Sequence, residues 1–186
     1  TVMNMRDLGA YPTEGGGHTQ SGRLIRSDAP VGLAPAEIGR LLALGLTTVV
    51  DLRGAVAVEM EPSDFQNHPG VTVVTNPLDD GIPWPSREAG IADYYMQIVE
   101  RPDFLRALRA IAEAPGTVLF HCAVGKDRTG VTAAALLGLA GVPQADIIAD
   151  YQVSSTYLRA NTHDYAVNLN ESKAAYMASL LQTIQT

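Results

Sequence analysis

The stretch His121-Cys122-Ala123-Val124-Gly125-Lys126-Asp127-Arg128-Thr129-Gly130 decides how the rest of the chain is read. Thr117-Val118-Leu119-Phe120 precedes it, β-branched and aromatic, and an Ala- and Leu-rich run from Val131 to Ala140 follows. This pattern predicts strand, tight loop and helix. A loop curling between a strand end and a helix start turns successive backbone N–H groups inward, and the helix adds the positive end of its dipole. Such a cup binds a tetrahedral oxyanion. A thiol at its mouth feels the same field, which favours thiolate and makes Cys122, the one cysteine of the chain, a nucleophile. Arg128 can hold two oxygens of the anion with its planar fork, where a lysine would offer only a point charge. Gly125 admits a backbone conformation that a Cβ forbids.

Two other readings of these letters fail. The nucleotide-binding pattern G-x-x-x-x-G-K-[ST] needs a glycine where Phe120 stands and Ser or Thr where Asp127 stands. A lone cysteine is often just a small buried hydrophobe. That reading leaves Gly125, Lys126, Asp127 and Arg128, gathered in one turn before an apolar helix, without a purpose. The anion ligands are therefore expected from Ala123, Val124, Gly125, Lys126, Asp127 and Arg128, with phosphate as the natural occupant.

The segment from His121-Cys122 to Arg128-Thr129 matches H-C-x-x-x-x-x-R-[ST] and so resembles the loop of cysteine-dependent protein tyrosine phosphatases. The Gly-Lys-Asp-Arg version is similar to a bacterial and fungal branch of atypical, broad-specificity members. Asn4-Met5-Arg6-Asp7-Leu8-Gly9, Gly22-Arg23-Leu24-Ile25-Arg26-Ser27, Asp51-Leu52-Arg53 and Gly141-Val142-Pro143 through Asp150-Tyr151 resemble that branch in the same order. The resemblance implies hydrolysis of phosphomonoesters through a phosphocysteine on Cys122, without cofactor or metal. It also implies that Thr129 donates a hydrogen bond to the cysteine sulfur. His121 is expected behind the loop, its ring bonded to backbone. Many tyrosine phosphatases carry a Trp-Pro-Asp loop whose aspartate is the general acid; Trp84-Pro85-Ser86 has serine there.

The acid must then come from elsewhere. Asp127 and the Asp79-Asp80 pair are the candidates, with Asp127 favoured. A carboxyl beside a phosphate and a thiolate is disfavoured as an anion and keeps a proton to donate. In the branch resembled here the loop aspartate is the usual proposal. A phosphate-binding module with little turnover is the alternative from another class; a sulfur transferase carrying a persulfide on Cys122 accounts poorly for Lys126 and Arg128 together.

At 186 residues the chain is expected to form one α/β domain over 1–186, with a short, mainly parallel sheet flanked by helices. Pro35 to Leu44 and Ile91 to Ala114 carry helical spacing, the latter reopened at Pro102; Pro143 opens another helix and Ala174 to Leu181 reads as the last. Arg23 to Arg26, Leu46 to Leu52 and Val71 to Thr75 read as strands, whereas Thr1 to Gly22 is polar and glycine-rich. The strand ending at Asp51 places Asp51 and Arg53 at the rim where open α/β sheets bind ligands, or in an ion pair with Glu59 or a nearby loop. A net charge of −7 argues against nucleic acid or an anionic membrane surface as a partner. No run is apolar enough for stable membrane insertion. The expected partner is a phosphorylated protein or a phosphoinositide, the latter because Lys126, one of few lysines, adds a second cation to the loop. One cysteine requires no oxidising compartment, so a cytoplasmic location is expected, with secretion the alternative if a leader is removed before Thr1. His18, His68 and His163 are scattered and read as surface or structural.

Overall fold

The computed structural model describes residues 2–159 and 171–184; His163 lies outside them. The described residues form a five-stranded sheet in the order β1-β2-β5-β3-β4, built from β1 Arg6–Asp7, β2 Leu24–Ser27, β3 Leu46–Asp51, β4 Thr72–Thr75 and β5 Thr117–His121. Four strands are parallel and β1 alone runs antiparallel, against β2. The helices are α1 Pro35–Ala43, α2 Ala55–Met60, α3 Ile91–Val99, α4 Pro102–Glu113, α5 Asp127–Leu139, α6 Gln144–Arg159 and α7 Ala174–Ile184. This is the α/β architecture that the alternation of patterns predicts.

β5 is central because every one of its residues is apolar or hydrogen-bonded inside, and all five are buried. Its side chains alternate between two cores. Val118 and Phe120 face the larger one, shared with Tyr95, Val131 and Met177, while Leu119 joins Leu41 and Phe65 on the other side. Burying each such side chain stabilises by about 1.5–3 kcal/mol. The central strand therefore fixes where its C-terminal loop emerges.

Three departures from the sequence pattern have physical causes. β1 lies inside the polar N-terminal stretch, where two residues pair with β2 for reasons of register rather than hydrophobicity. α5 begins at Asp127, ahead of the apolar run, with Asp127, Thr129 and Gly130 buried in its first turn. α2 buries none of its residues, so it has no apolar face to detect.

A buried ionic network ties β1, β2 and α6 together. Asp150 on α6 accepts from Arg6 Nε at 2.7 Å with one oxygen and pairs with Arg26 Nη1 through the other. Arg6 also donates to the Asp150 carbonyl at 2.7 Å and to Ser154 Oγ at 3.0 Å. Burial pushes the Asp150 carboxyl up, but Arg26 and then Arg6 outweigh it and hold it below the usual carboxylate range. Removing one member of such a network leaves a buried charge uncompensated. Asp150→Ala is accordingly expected to destabilise the protein by about 3–5 kcal/mol, read as a lowered urea midpoint with an unchanged slope; a loss below about 1 kcal/mol would mean that the pair behaves as a surface ion pair.

Candidate active site

β5 lies between β2 and β3, so the loop after His121 rises from the middle of the carboxyl edge of the sheet. Its peptide carbonyls are all held from outside. The Cys122 carbonyl lies 3.0 Å from His121 Nδ1, the Ala123 carbonyl accepts from Ala29 N at 3.0 Å, the Val124 carbonyl accepts from Asn4 Nδ2 at 2.9 Å, and the Gly125 carbonyl accepts from Arg26 Nη2 at 2.7 Å. In a planar trans peptide the C=O and the next N–H point in opposite directions. The amides of residues 123–126 consequently converge on the inside of the loop. Those of Ala123, Val124 and Gly125 donate to no protein group among the described residues.

Local chemistry explains why the chain can adopt this shape. Gly125 has φ +70, and a Cβ there would stand 2.5 Å from the Ser27 carbonyl group, so only glycine fits. Asn4 is brought to the loop because the Asp28 carboxylate accepts from Met3 N and Asn4 N at 3.0 and 2.9 Å. Cys122 is buried where the loop leaves β5.

Arg128 stands in that first turn. Its Nη1 is 3.1 Å from Asp79 Oδ1, and Tyr94 Oη donates to the other Asp79 oxygen at 2.9 Å. Trp84, exposed on the following loop, packs edge-on against Tyr94 with ring centroids 5.0 Å apart. Burial pushes the Arg128 guanidinium down, but Cys122 and Asp79 outweigh it and raise it above its ordinary value. The structure thus separates the two candidate acids of the Asp79-Asp80 pair. Asp79 faces Arg128; Asp80 is exposed, its carboxylate packed against Gly54.

Asp127 is buried and its Oδ1 accepts a hydrogen bond from Tyr95 Oη at 2.6 Å. Lys126 Nζ lies 3.4 Å from the same oxygen, with the lysine side chain 1% exposed. Lys126 therefore points into the protein beside Asp127, away from the rim. Asp51, also named from the sequence, is not at the mouth. It is fully buried behind the loop, bonded by Arg53 N, Nε and Nη2 at 3.0, 2.9 and 2.7 Å, and its Oδ2 is 3.6 Å from His121 Nε2. Arg53 pairs with Asp51 rather than with Glu59. The bond from Thr129 to sulfur is not formed either: Thr129 Oγ1 is buried and has no hydrogen-bond partner among the described residues. An unpaired buried hydroxyl costs about 1–3 kcal/mol, which marks the inner wall of the loop as a place that stability alone does not explain.

Asn4, Arg26, Asp28, Tyr95 and Tyr151 take part in this arrangement, and the sequence pattern did not assign them. A signal existed for Arg26. A charge in the middle of the short strand Leu24-Ile25-Arg26-Ser27 needs a buried partner, although nothing local says which. Trp84-Pro85-Ser86 brings no carboxylate to the site.

The chain belongs to the tyrosine phosphatase family, whose model matches residues 1–186. A protein of Cupriavidus necator with a provisional tyrosine-protein phosphatase name is 32% identical over 194 residues, covering 97% of this chain and 67% of that one. A tyrosine-protein phosphatase of Nostoc commune is 34% identical over 141 residues, covering 71% of this chain and 48% of that one. The triple specificity protein phosphatase PtpB of Mycobacterium tuberculosis is 29% identical over 185 residues, covering 81% and 66% respectively. The chain spans between about half and two thirds of the length of these curated relatives. No helix of the described residues is long and apolar enough to cross a membrane.

His121 generates a pH-dependent prediction. Burial lowers its pKa from 6.5, with Asp51 opposing, so the ring is neutral where an unfolded histidine would already be charged. Between the two values the unfolded chain binds more protons, and stability falls as pH drops through that window. Melting temperature is expected to decline from about pH 6.5 downward, and His121→Asn, which retains a donor for the Cys122 carbonyl, should flatten the decline. An unchanged slope in the variant would assign the acid sensitivity to other groups.

Proposed function

We propose that this protein hydrolyses phosphomonoesters, phosphotyrosine foremost, through a phosphocysteine intermediate. The observation that carries the reading is the outward tethering of the carbonyls from Cys122 to Gly125, which leaves a ring of amides facing one point beside a cysteine and an arginine. The Cys122 thiolate attacks phosphorus in line as the P–O bond to the leaving group breaks. The loop amides and Arg128 stabilise charge on the equatorial oxygens. An acid protonates the departing oxygen. Water then attacks the thiophosphate, the S–P bond breaks, and inorganic phosphate and the thiolate are released. Family membership and the names of the relatives support this reading.

In this scheme Asp127 is the acid. It is adjacent to Arg128, and its Oδ2 makes no hydrogen bond among the described residues while Oδ1 is held by Tyr95. Asp79 is the second reading, favoured by its 3.1 Å contact with Arg128. His121 supports the loop through the Cys122 carbonyl, with Asp51 behind it, and Thr129 stands beside the loop with its hydroxyl unpartnered among the described residues. Breadth toward phosphoserine, phosphothreonine and phosphoinositides belongs to the proposal too. It rests on the likeness to a triple specificity phosphatase; Lys126, buried beside Asp127, is not placed to meet a distal phosphate.

The central test is Cys122→Ser, which replaces the thiolate with a hydroxyl that stays protonated. Turnover of phosphotyrosine peptide, phosphoserine peptide and phosphoinositide by the wild type should survive a chelator, and the variant should lose it while still binding the peptide. Retention of a large fraction of the wild-type rate would place the nucleophile elsewhere. For the acid, Asp127→Asn is expected to lose about 10²–10⁴-fold on phenyl phosphate and far less on nitrophenyl phosphate, whose leaving group needs little protonation. If Asp79→Asn shows that asymmetry and Asp127→Asn does not, the acid is Asp79.

A further inference from the structure

Behind Asp127 lies a row of phenols that the reaction as written does not use. Tyr95, on α3, is fully buried and donates its proton to Asp127 Oδ1 at 2.6 Å. Tyr151, on α6, places its own hydroxyl 2.6 Å from that of Tyr95. Tyr95 has a single proton, and it is committed to the carboxylate, so Tyr151 donates to Tyr95. The order is forced by the acceptor at the end of the row. The rings meet nearly edge-on, with centroids 6.1 Å apart. Tyr151 comes this close because Gly130, on α5, has no side chain: a Cβ there would stand 3.0 Å from the Tyr151 ring. Burial, with Asp127 next, pushes the Tyr95 phenol well above its ordinary value and Tyr151 upward likewise, so both remain neutral donors.

We infer that Tyr95, backed by Tyr151, is a positioning residue for catalysis: it pins one oxygen of Asp127 and thereby presents the other to the leaving group. The inference rests on the reading of Asp127 as the acid. Three elements converge to fix one carboxylate. α5 carries Asp127, α3 holds its Oδ1, and α6 holds the holder. Lys126 Nζ at 3.4 Å adds a charge on the same oxygen. A carboxyl tethered by one oxygen swings about a single axis, so the free oxygen keeps to the side opposite Tyr95. Proton transfer is sensitive to such placement, since a misplacement of about 1 Å can cost about 10²-fold. The Tyr95 hydroxyl bonds Asp127 and Tyr151 and not the sulfur, and in this role it contributes no proton of its own.

The test is a double-mutant cycle read on leaving groups. Tyr95→Phe keeps the ring and removes the hydroxyl. It should lower kcat on phenyl phosphate by about tenfold or more, change nitrophenyl phosphate turnover much less, and leave KM for both nearly unaltered. In an Asp127→Asn background the same change should cost nothing further, because residues that act as a unit are non-additive. Tyr151→Phe should show the same asymmetry in weaker form. Equal loss on both substrates, or an undiminished Tyr95→Phe effect in the Asp127→Asn background, would overturn the inference and make Tyr95 a packing residue. If Asp127→Asn alone shows no leaving-group asymmetry, the assignment of the acid fails and the role of Tyr95 fails with it. If Asp127→Asn shows the asymmetry and Tyr95→Phe does not, the acid stands and only the positioning role is lost.

Discussion

Peptide carbonyls point outward at every step from Cys122 to Gly125, each held by a partner from outside the loop, and much of the architecture is arranged to supply those partners. Arg26 is on β2, one strand away from β5, at a register position opposite Phe120. Asn4 comes from the N-terminal segment, which Asp28 captures as β2 ends. Ala29 follows Asp28 and takes the Ala123 carbonyl. A loop of convergent amides is unfavourable on its own, because like dipoles face one another. Tethering the opposite ends of those dipoles makes the arrangement a ground state rather than a strain awaiting an anion.

The tethers themselves need support. Arg26 is completely buried, and a buried guanidinium persists only when charged partners surround it. Asp150 supplies that charge from α6 and is balanced in turn by Arg6 on β1. The short edge strand, which the polar composition of the N-terminal stretch conceals, thus has a purpose: it delivers Arg6 to α6 and Asn4 to the loop. The chain is acidic overall, yet Arg26, Lys126 and Arg128 stand around the loop, and the two acids nearest Arg128 are individually restrained. Two neighbouring tyrosines of α3 do the restraining, Tyr94 on Asp79 and Tyr95 on Asp127. One helix turn therefore sets the direction of both carboxylates that stand close to Arg128.

Much of this molecule was legible in the order of its residues. The ten residues from His121 to Gly130 predict strand, loop and helix, and carry cysteine, glycine and arginine within one loop. The strands at Leu24, Leu46 and Thr72 and the helices opened by Pro35 and Pro102 follow from periodicity and proline placement, because both signals are local. What periodicity reports is which residues want to be buried. It does not report α2, which buries nothing, or β1, which is defined by its neighbour.

Tertiary structure alone decided the rest, and the reason is the same in each case. Asp79 and Asp80 are chemically identical and adjacent, but they stand in a turn closed by Ile82 N on the Asp79 carbonyl, and one meets Arg128 while the other meets Gly54. Asp51 sits at the end of a strand as expected, yet faces inward to His121 and Arg53 because β5 is its neighbour. Lys126 belongs to the anion loop by position and turns toward Asp127 by packing. Asn4, Arg26, Tyr95 and Tyr151 join the site across separations of 32 to 120 residues. The sequence by itself determined which chemical groups this protein possesses and where its loop must curl, since those depend on contiguous residues. Which carboxylate faces the loop, and what holds each carbonyl outward, depended on the register of the sheet and the packing of α3 and α6, which no contiguous stretch encodes.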